Sequence, residues 1–274
     1  MIKLICLDID GTLLNTQREL TPRVIEAIRL ARAKGITVTI ASGRIHQSVM
    51  AIAHLAGINA PIISMNGSLI RDMETGRVYK DIPIGQETIF DVYKILKELK
   101  ARPNFYDKNC MYISSRFAAY RQIYGAIKTK YPLDYVEMED YAQIERVLKQ
   151  HGHGVNKIIF FPGREKQSET AGAFAGIPEI SLVSSSRSNL EITNVMADKG
   201  KAVISLGEFV GARPEEIMCV GDERNDISML TAVKYSVAMG NAPDEVKQAV
   251  AMVTLDNDHD GCAIAIEKLA LEMD

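Results

Sequence analysis

The stretch KLICLDIDGTLL, residues 3–14, sets Asp8 and Asp10 one residue apart behind an apolar run and follows them with Gly11. Two carboxylates held about 4 Å apart repel by roughly 4 kcal/mol at an effective dielectric near 20. A chain that gathers them at one place must therefore supply a positive partner. Candidate partners and neighbours lie in four other stretches. Ser42-Gly43-Arg44 ends the run ITVTIAS, Asn66-Gly67 ends PIISMNG, and Gly221-Asp222 ends IMCV with Asn225 and Asp226 just beyond; Lys199 opens the helical stretch of ADKGKAV. The hard oxygens of Asp8, Asp10 and Asp222 favour Mg2+ over zinc. Ser42, Asn66, Lys199 and Asn225 offer donors to an anion. An anion, a divalent cation and a spare carboxylate together indicate phosphate chemistry.

The elements that must position these groups follow from the hydrophobic pattern. After KLICLDI, Thr21-Pro22 reads as a helix start, a capping hydroxyl followed by proline at the first helical position. Val24, Ile28 and Ala31 recur at helical spacing and Gly35 closes the element. A second strand at 36–42, a helix over 45–56 ended by Gly57 and a third strand at 61–67 come next. Continuous apolar strands separated by helices predict a parallel sheet covered on both faces, with its site along the carboxyl-end edge. The pattern then changes. SLIRDMETGRVYKDIPI reads as two strands around Glu74-Thr75-Gly76, a helix follows over 86–100, and NFYDKNCMYIS reads as a hairpin with Asp107-Lys108-Asn109 at its tip. The runs NKIIFFP and ISLVSSSRSNLEIT complete a region of antiparallel character. From about 195 the alternation of helix and strand returns, ending in a helix over 261–272. The expected organisation is an α/β core from residues 1–82 and 189–274, interrupted by an inserted α+β domain over 83–188.

Composition bounds the rest. A chain of 274 residues with 47% hydrophobic and 24% charged residues is ordinary for a globular protein with a sizeable core. The net charge of -3 gives no sign of a nucleic-acid-binding surface. No apolar run reaches the ~20 residues of a membrane span, and the N-terminus lacks a signal-peptide pattern. Cys6, Cys110, Cys219 and Cys262 are scattered without a CxxC pair, as in a reducing compartment. A cytoplasmic location, as a monomer or weak homodimer, is expected. His151 and His153 in HGHG lack a fuller ligand set and read as loop residues. His46 is expected on a helix surface, and Arg44 either clamps substrate or fixes its loop. Lys94, Lys97, Glu98 and Lys100 form the wet face of a helix.

DIDGTLL resembles the first motif of the haloacid dehalogenase superfamily, ASGR its second, Lys199 its third and GDERND its fourth. The long insertion after the third strand resembles the Cof-type subfamily with a C2-type cap. The resemblance implies a Rossmann-like doubly wound core and assigns roles by position. Asp8 would be the nucleophile that becomes an aspartyl-phosphate. Asp10 would be the general acid/base, its backbone carbonyl also a metal ligand, and Asp222 the third ligand to Mg2+. Ser42, with the amides of Ile9 and Gly43, would bind the phosphate, joined by Lys199 and Asn225; Asn66 and Arg44 are further candidates for holding the substrate. Asp226 would hold Lys199 or a metal-bound water. Glu223 departs from the small or amide residue frequent there, and would either tune the metal site or face outward. The implied function is a Mg2+-dependent phosphatase acting on a small phosphorylated metabolite such as a sugar phosphate, nucleotide or cofactor phosphate. The alternatives are a phosphomutase and a non-catalytic phosphoacceptor module, the latter disfavoured because a pure acceptor has no need of Asp10. Candidates for selecting the leaving group are Tyr106, Lys108, Asn109, Tyr112 and Arg116 of the cap.

Overall fold

The computed structural model of the protein describes residues 1–114, 134–150, 154–162, 164–183 and 189–272. Its central sheet is parallel and five-stranded. Across the sheet lie Met252–Val253, Tyr235–Ala238, Ile217–Gly221, Leu4–Leu7 and Thr37–Ile40 in that order. Leu7 stands opposite Val220 on one side and Ile40 on the other. With that register, Asp8, Asp222 and Ser42 all emerge at one edge, a step or two beyond their strands.

The strands are apolar on both faces because both faces are covered. Ile5 and Leu7 pack with Val24, Ile28 and Ala31 of the helix Pro22–Ala33 and with Cys262 and Ile266 of the helix Gly261–Ile266. Leu4 and Cys6 pack with Ala202, Val203 and Leu206 of the helix Lys199–Val210. Each such fully buried aliphatic side chain contributes about 1.5–3 kcal/mol relative to exposure. The first helix begins as expected, the Thr21 hydroxyl accepting the Val24 amide at 3.3 Å.

The third strand is shorter than expected. Ile62–Ser64 touches the central sheet through a single parallel bridge, Ala41 to Ile63, and otherwise pairs antiparallel with Leu69–Arg71, which pairs in turn with Val78–Asp81. The chain reverses because Met65 and Asn66 adopt positive φ, 50° and 57°.

The inserted region forms a six-stranded sheet in the order Ile180–Val183, Leu190–Asn194, Lys157–Phe160, Asn104–Tyr106, Met111–Ser114, Tyr135–Met138. Its neighbours run antiparallel except the last pair. The helices Gln86–Glu98 and Tyr141–Gln150 contribute Ile89, Val92, Leu96, Ile144 and Leu148 to a core with Phe105, Ile158 and Phe160. Lys94, Lys97, Glu98 and Lys100 are exposed. The strand Leu190–Asn194, beyond the expected boundary at 188, belongs to this sheet: Leu190 and Ile192 pair with Phe160 and Ile158, and this pairing keeps the strand there until Asn194. A smaller apolar cluster joins the two parts, Ile45, Met65 and Leu69 meeting Tyr106, Met111, Ile113 and Ile159. Among the described residues no helix is long and apolar enough to cross a membrane.

Candidate active site

Asp8 follows the strand Leu4–Leu7 directly, and its amide donates to the Val220 carbonyl at 3.0 Å. Lys199 begins the helix Lys199–Val210, whose N-terminus is capped by Asp198 accepting the Lys201 amide at 2.8 Å. From there the Lys199 ammonium reaches Asp8 Oδ1 at 2.7 Å and Asp226 Oδ1 at 2.6 Å. The other oxygen of Asp226 accepts the amides of Asp222 and Glu223, each at 3.0 Å, and so shapes the turn after Ile217–Gly221. Asp222 is held by the Thr12 hydroxyl at 2.8 Å and by Asn241 Nδ2 at 3.3 Å. Asp8, Asp222 and Asp226 each offer an oxygen within 4.8 Å of the others. Gly11 makes this possible: at φ +79° it turns the chain beside Asp222, and a Cβ there would lie 2.2 Å from Asp222 Oδ2.

The cluster is short of positive charge. Burial pushes the Asp8 carboxyl up, against the pull of Lys199. Burial, reinforced by Asp8 and Asp226, pushes Asp222 to about 8. Burial alone would lower Lys199, but Asp226 and Asp8 outweigh it and raise it above its ordinary value. One ammonium facing three buried carboxylates, all hard oxygen donors, suits a small divalent cation.

Asp10 is set apart from that cluster. Its side chain is 59% exposed and is held by a two-pronged contact with Arg44, Nε to Oδ2 at 2.6 Å. Arg44 thus holds the Asp10 carboxylate, a contact that neither of the two roles expected for it names. Ser42 is buried, its hydroxyl accepting the Arg44 amide at 3.2 Å. The Ile9 carbonyl accepts the Leu14 amide at 3.0 Å in the turn after Asp8. The buried Asn66 accepts from Asn225 Nδ2 at 3.1 Å and donates to Glu191 at 3.2 Å. Glu223 is exposed and caps its own turn, accepting the Arg224 amide at 3.4 Å.

A cavity of about 340 Å3 separates these strand ends from the six-stranded sheet; Asp8, Asp10, Ser42, Gly43, Arg44, Asn225 and Glu223 line one side. Tyr106, Lys157, Ile159, Asn189 and Glu191 line the other, and Arg18 lines the cavity as well. Tyr106, one of the candidates named from the sequence, is among these lining residues. Lys108, Asn109 and Tyr112 do not line the cavity. Lys108 pairs with Asp81 at 2.8 Å, Asn109 accepts from Arg71 at 3.1 Å, and the Tyr112 hydroxyl donates to Asp107 at 3.1 Å, so these contacts hold the hairpin. Arg116, His151 and His153 lie outside the described residues. His46, expected on a helix surface, is 2% exposed, because its helix is covered by neighbouring elements. Sequence reasoning passed over Thr12, Asn241, Lys157, Asn189 and Glu191. The signal for two of them was a charge inside an otherwise apolar strand run, Lys157 in NKIIFF and Glu191 in NLEIT.

Residues 5–266 match the family of haloacid dehalogenase-like hydrolases. Phosphatase YwpJ of Bacillus subtilis is 30% identical over 295 residues, which cover 98% of this chain and all of that protein. The 5-amino-6-(5-phospho-D-ribitylamino)uracil phosphatase YwtE of the same organism is 28% identical over 298 residues, 98% of either chain. A crystal structure of a haloacid dehalogenase-like hydrolase from Bacteroides thetaiotaomicron superposes with a TM-score of 0.84 at 28% identity, covering 98% of this chain and all of that one. Motifs, fold and relatives agree: the chain belongs to the haloacid dehalogenase-like hydrolases and is a phosphatase of their Cof-type branch.

Proposed function

We propose that the protein hydrolyses a small phosphorylated metabolite in a Mg2+-dependent reaction that passes through a phosphoryl group on Asp8. The observation that carries this reading is the buried bridge of Lys199 between Asp8 and Asp226, with Asp222 alongside, at the carboxyl ends of adjacent parallel strands. Asp8, Asp222 and the backbone carbonyl of Asp10 would hold the metal. Bound there, Mg2+ would offset the repulsion between carboxylate and phosphate and orient the phosphate. Asp8 attacks phosphorus in line, and the bond to the leaving oxygen breaks as Asp10 delivers a proton to it. Water then attacks the phosphorus of the aspartyl-phosphate, Asp10 takes its proton, and inorganic phosphate and free Asp8 result. Lys199, Ser42 and the amides beside them stabilise charge on the equatorial oxygens.

The inserted unit would act as the cap that selects the leaving group. On its side of the cavity Lys157 is already matched by Glu191, and across from it Arg44 by Asp10. Such walls suit a neutral, hydroxyl-bearing leaving group, and about 340 Å3 is at the small end of ligand-site volumes. A sugar phosphate, nucleotide or cofactor phosphate falls in that class, as does the phosphoribityl compound in the name of YwtE. Turnover of p-nitrophenyl phosphate with Mg2+ and its loss in EDTA test the reaction, and a panel of phosphorylated metabolites tests the class. Full activity in metal-free protein would refute the proposed chemistry.

A further inference from the structure

The six-stranded sheet reaches into the catalytic strand ends through two buried charges. Lys157 and Glu191 are 7% and 2% exposed and pair at 2.7 Å on adjacent strands. Both also bind the central domain. Lys157 Nζ donates to the Gly43 carbonyl at 2.9 Å, inside the Ser42–Arg44 turn, and Glu191 Oε2 accepts from Asn66 Nδ2 at 3.2 Å. Asn66 in turn accepts from Asn225, one residue before the Asp226 that holds Lys199. One line of contacts thus runs from Glu191 through Asn66, Asn225 and the Asp226 turn to Lys199 and Asp8. The other runs from Lys157 through Gly43 to Arg44 and Asp10.

A buried ion pair is a poor device for stability alone, since desolvation offsets much of the attraction, and well-packed apolar side chains do as well or better. A pair that also reaches out of its own sheet to the turns beside the nucleophile and the acid has a use that apolar packing cannot supply. We propose that Lys157 and Glu191 are a latch: positioning residues through which docking of the inserted unit sets the geometry of the Ser42–Arg44 turn and of Asn66. The inference rests on the phosphatase reading only for its kinetic arm. Neither residue donates or accepts the transferred phosphoryl group.

The clean test removes both charges together, Lys157→Met with Glu191→Leu, because a single deletion leaves one charge buried and unpaired. The double variant should keep its thermal midpoint within a few degrees. Hydrogen–deuterium exchange across 42–46 and 65–67 should speed up by about tenfold while the strand Ile217–Gly221 stays protected. With p-nitrophenyl phosphate and Mg2+, kcat should fall by about tenfold with a smaller change in KM, as expected when catalytic groups lose their alignment. Lys157→Arg, which can still reach both partners, should recover most of that loss, whereas Lys157→Met should not. If the double variant does not fold, Glu191→Gln takes its place, and the same pair of readouts applies. Unchanged exchange at both turns together with a kcat within twofold of the parent would overturn the latch. A parent protein inert toward every phosphomonoester would refute the phosphatase reading instead, and the exchange measurement would still decide the latch.

Discussion

Asp8 and Asp10 are two residues apart but meet different surroundings. Asp8 is buried against Lys199, while Asp10 is half-exposed and gripped by Arg44. Their neutral amide variants should therefore fail differently. Asp8→Asn keeps the shape but loses the attacking oxygen, and kcat should drop by about 10³-fold or more since no other nucleophile is positioned. Asp10→Asn keeps the backbone carbonyl but can neither donate nor accept a proton. Its loss should be severe for a sugar phosphate and milder for p-nitrophenyl phosphate, whose phenolate leaves without protonation. Intact-mass analysis after a rapid acid quench should show a phosphoryl adduct on the Asp10 variant and none on the Asp8 variant. An adduct on Asp8→Asn, or equal losses for both leaving groups in Asp10→Asn, would reverse the assignment. His46 makes a separate prediction about stability. Both ring nitrogens are buried without a hydrogen-bond partner among the described residues, and burial, helped by Arg71, drives the imidazole down to about 3. A neutral ring with an unpaired N–H costs about 1–3 kcal/mol, so His46→Leu should raise the denaturation midpoint by the equivalent of about 1 kcal/mol. A lower midpoint would mean that the imidazole is satisfied after all.

At the scale of elements, the turn at Gly11, directly after the two opening aspartates, brings the chain beside Asp222. Gly11→Ala would place a methyl group on Asp222 in a backbone region that alanine rarely adopts. Its kcat should fall by about 10²-fold or more with the fold retained, and near-parent activity would show that Asp222 can move aside without penalty. The sequence made this turn visible because glycine after paired aspartates leaves few other readings. The buried parallel strands were legible for a similar reason: covered on both faces, they read as continuous apolar runs such as KLICL and IMCV. The third strand was harder. PIIS is as apolar as its neighbours, but positive φ at Met65 and Asn66, which no composition signals, reverses the chain and gives the strand an antiparallel partner. Leu190–Asn194 went to the second sheet through pairing with a strand some thirty residues away, and local propensity carries no information about such a choice. The same distance hid the Lys157–Glu191 pair, although each charge stood out within its own run.

For the molecule as a whole, the buried carboxylates tie stability to pH and to metal. An ordinary aspartate in the unfolded chain releases its proton near 3.9. Asp222 in the metal-free fold is pushed to about 8 and Asp8 is pushed in the same direction, burial being the largest cause for both. Between those limits the folded state binds more protons than the unfolded state, so the stability these groups contribute is complete below pH 4 and is lost as pH rises toward 8. Mg2+ requires the ionised carboxylates, so it competes with those protons. Affinity should therefore rise with pH through the range in which Asp222 and Asp8 still hold protons, flattening near 8. Thermal unfolding in EDTA should then show a lower Tm at pH 8 than at pH 6 from these groups, and millimolar Mg2+ should restore more at pH 8 than at pH 6. Asp222→Asn should flatten the EDTA profile and reduce the Mg2+ shift at both values. Because the readout is the unfolding of the whole chain, it needs no substrate and is independent of turnover. An Mg2+ shift equal at the two pH values, or one that survives intact in Asp222→Asn, would place the cation away from Asp8 and Asp222.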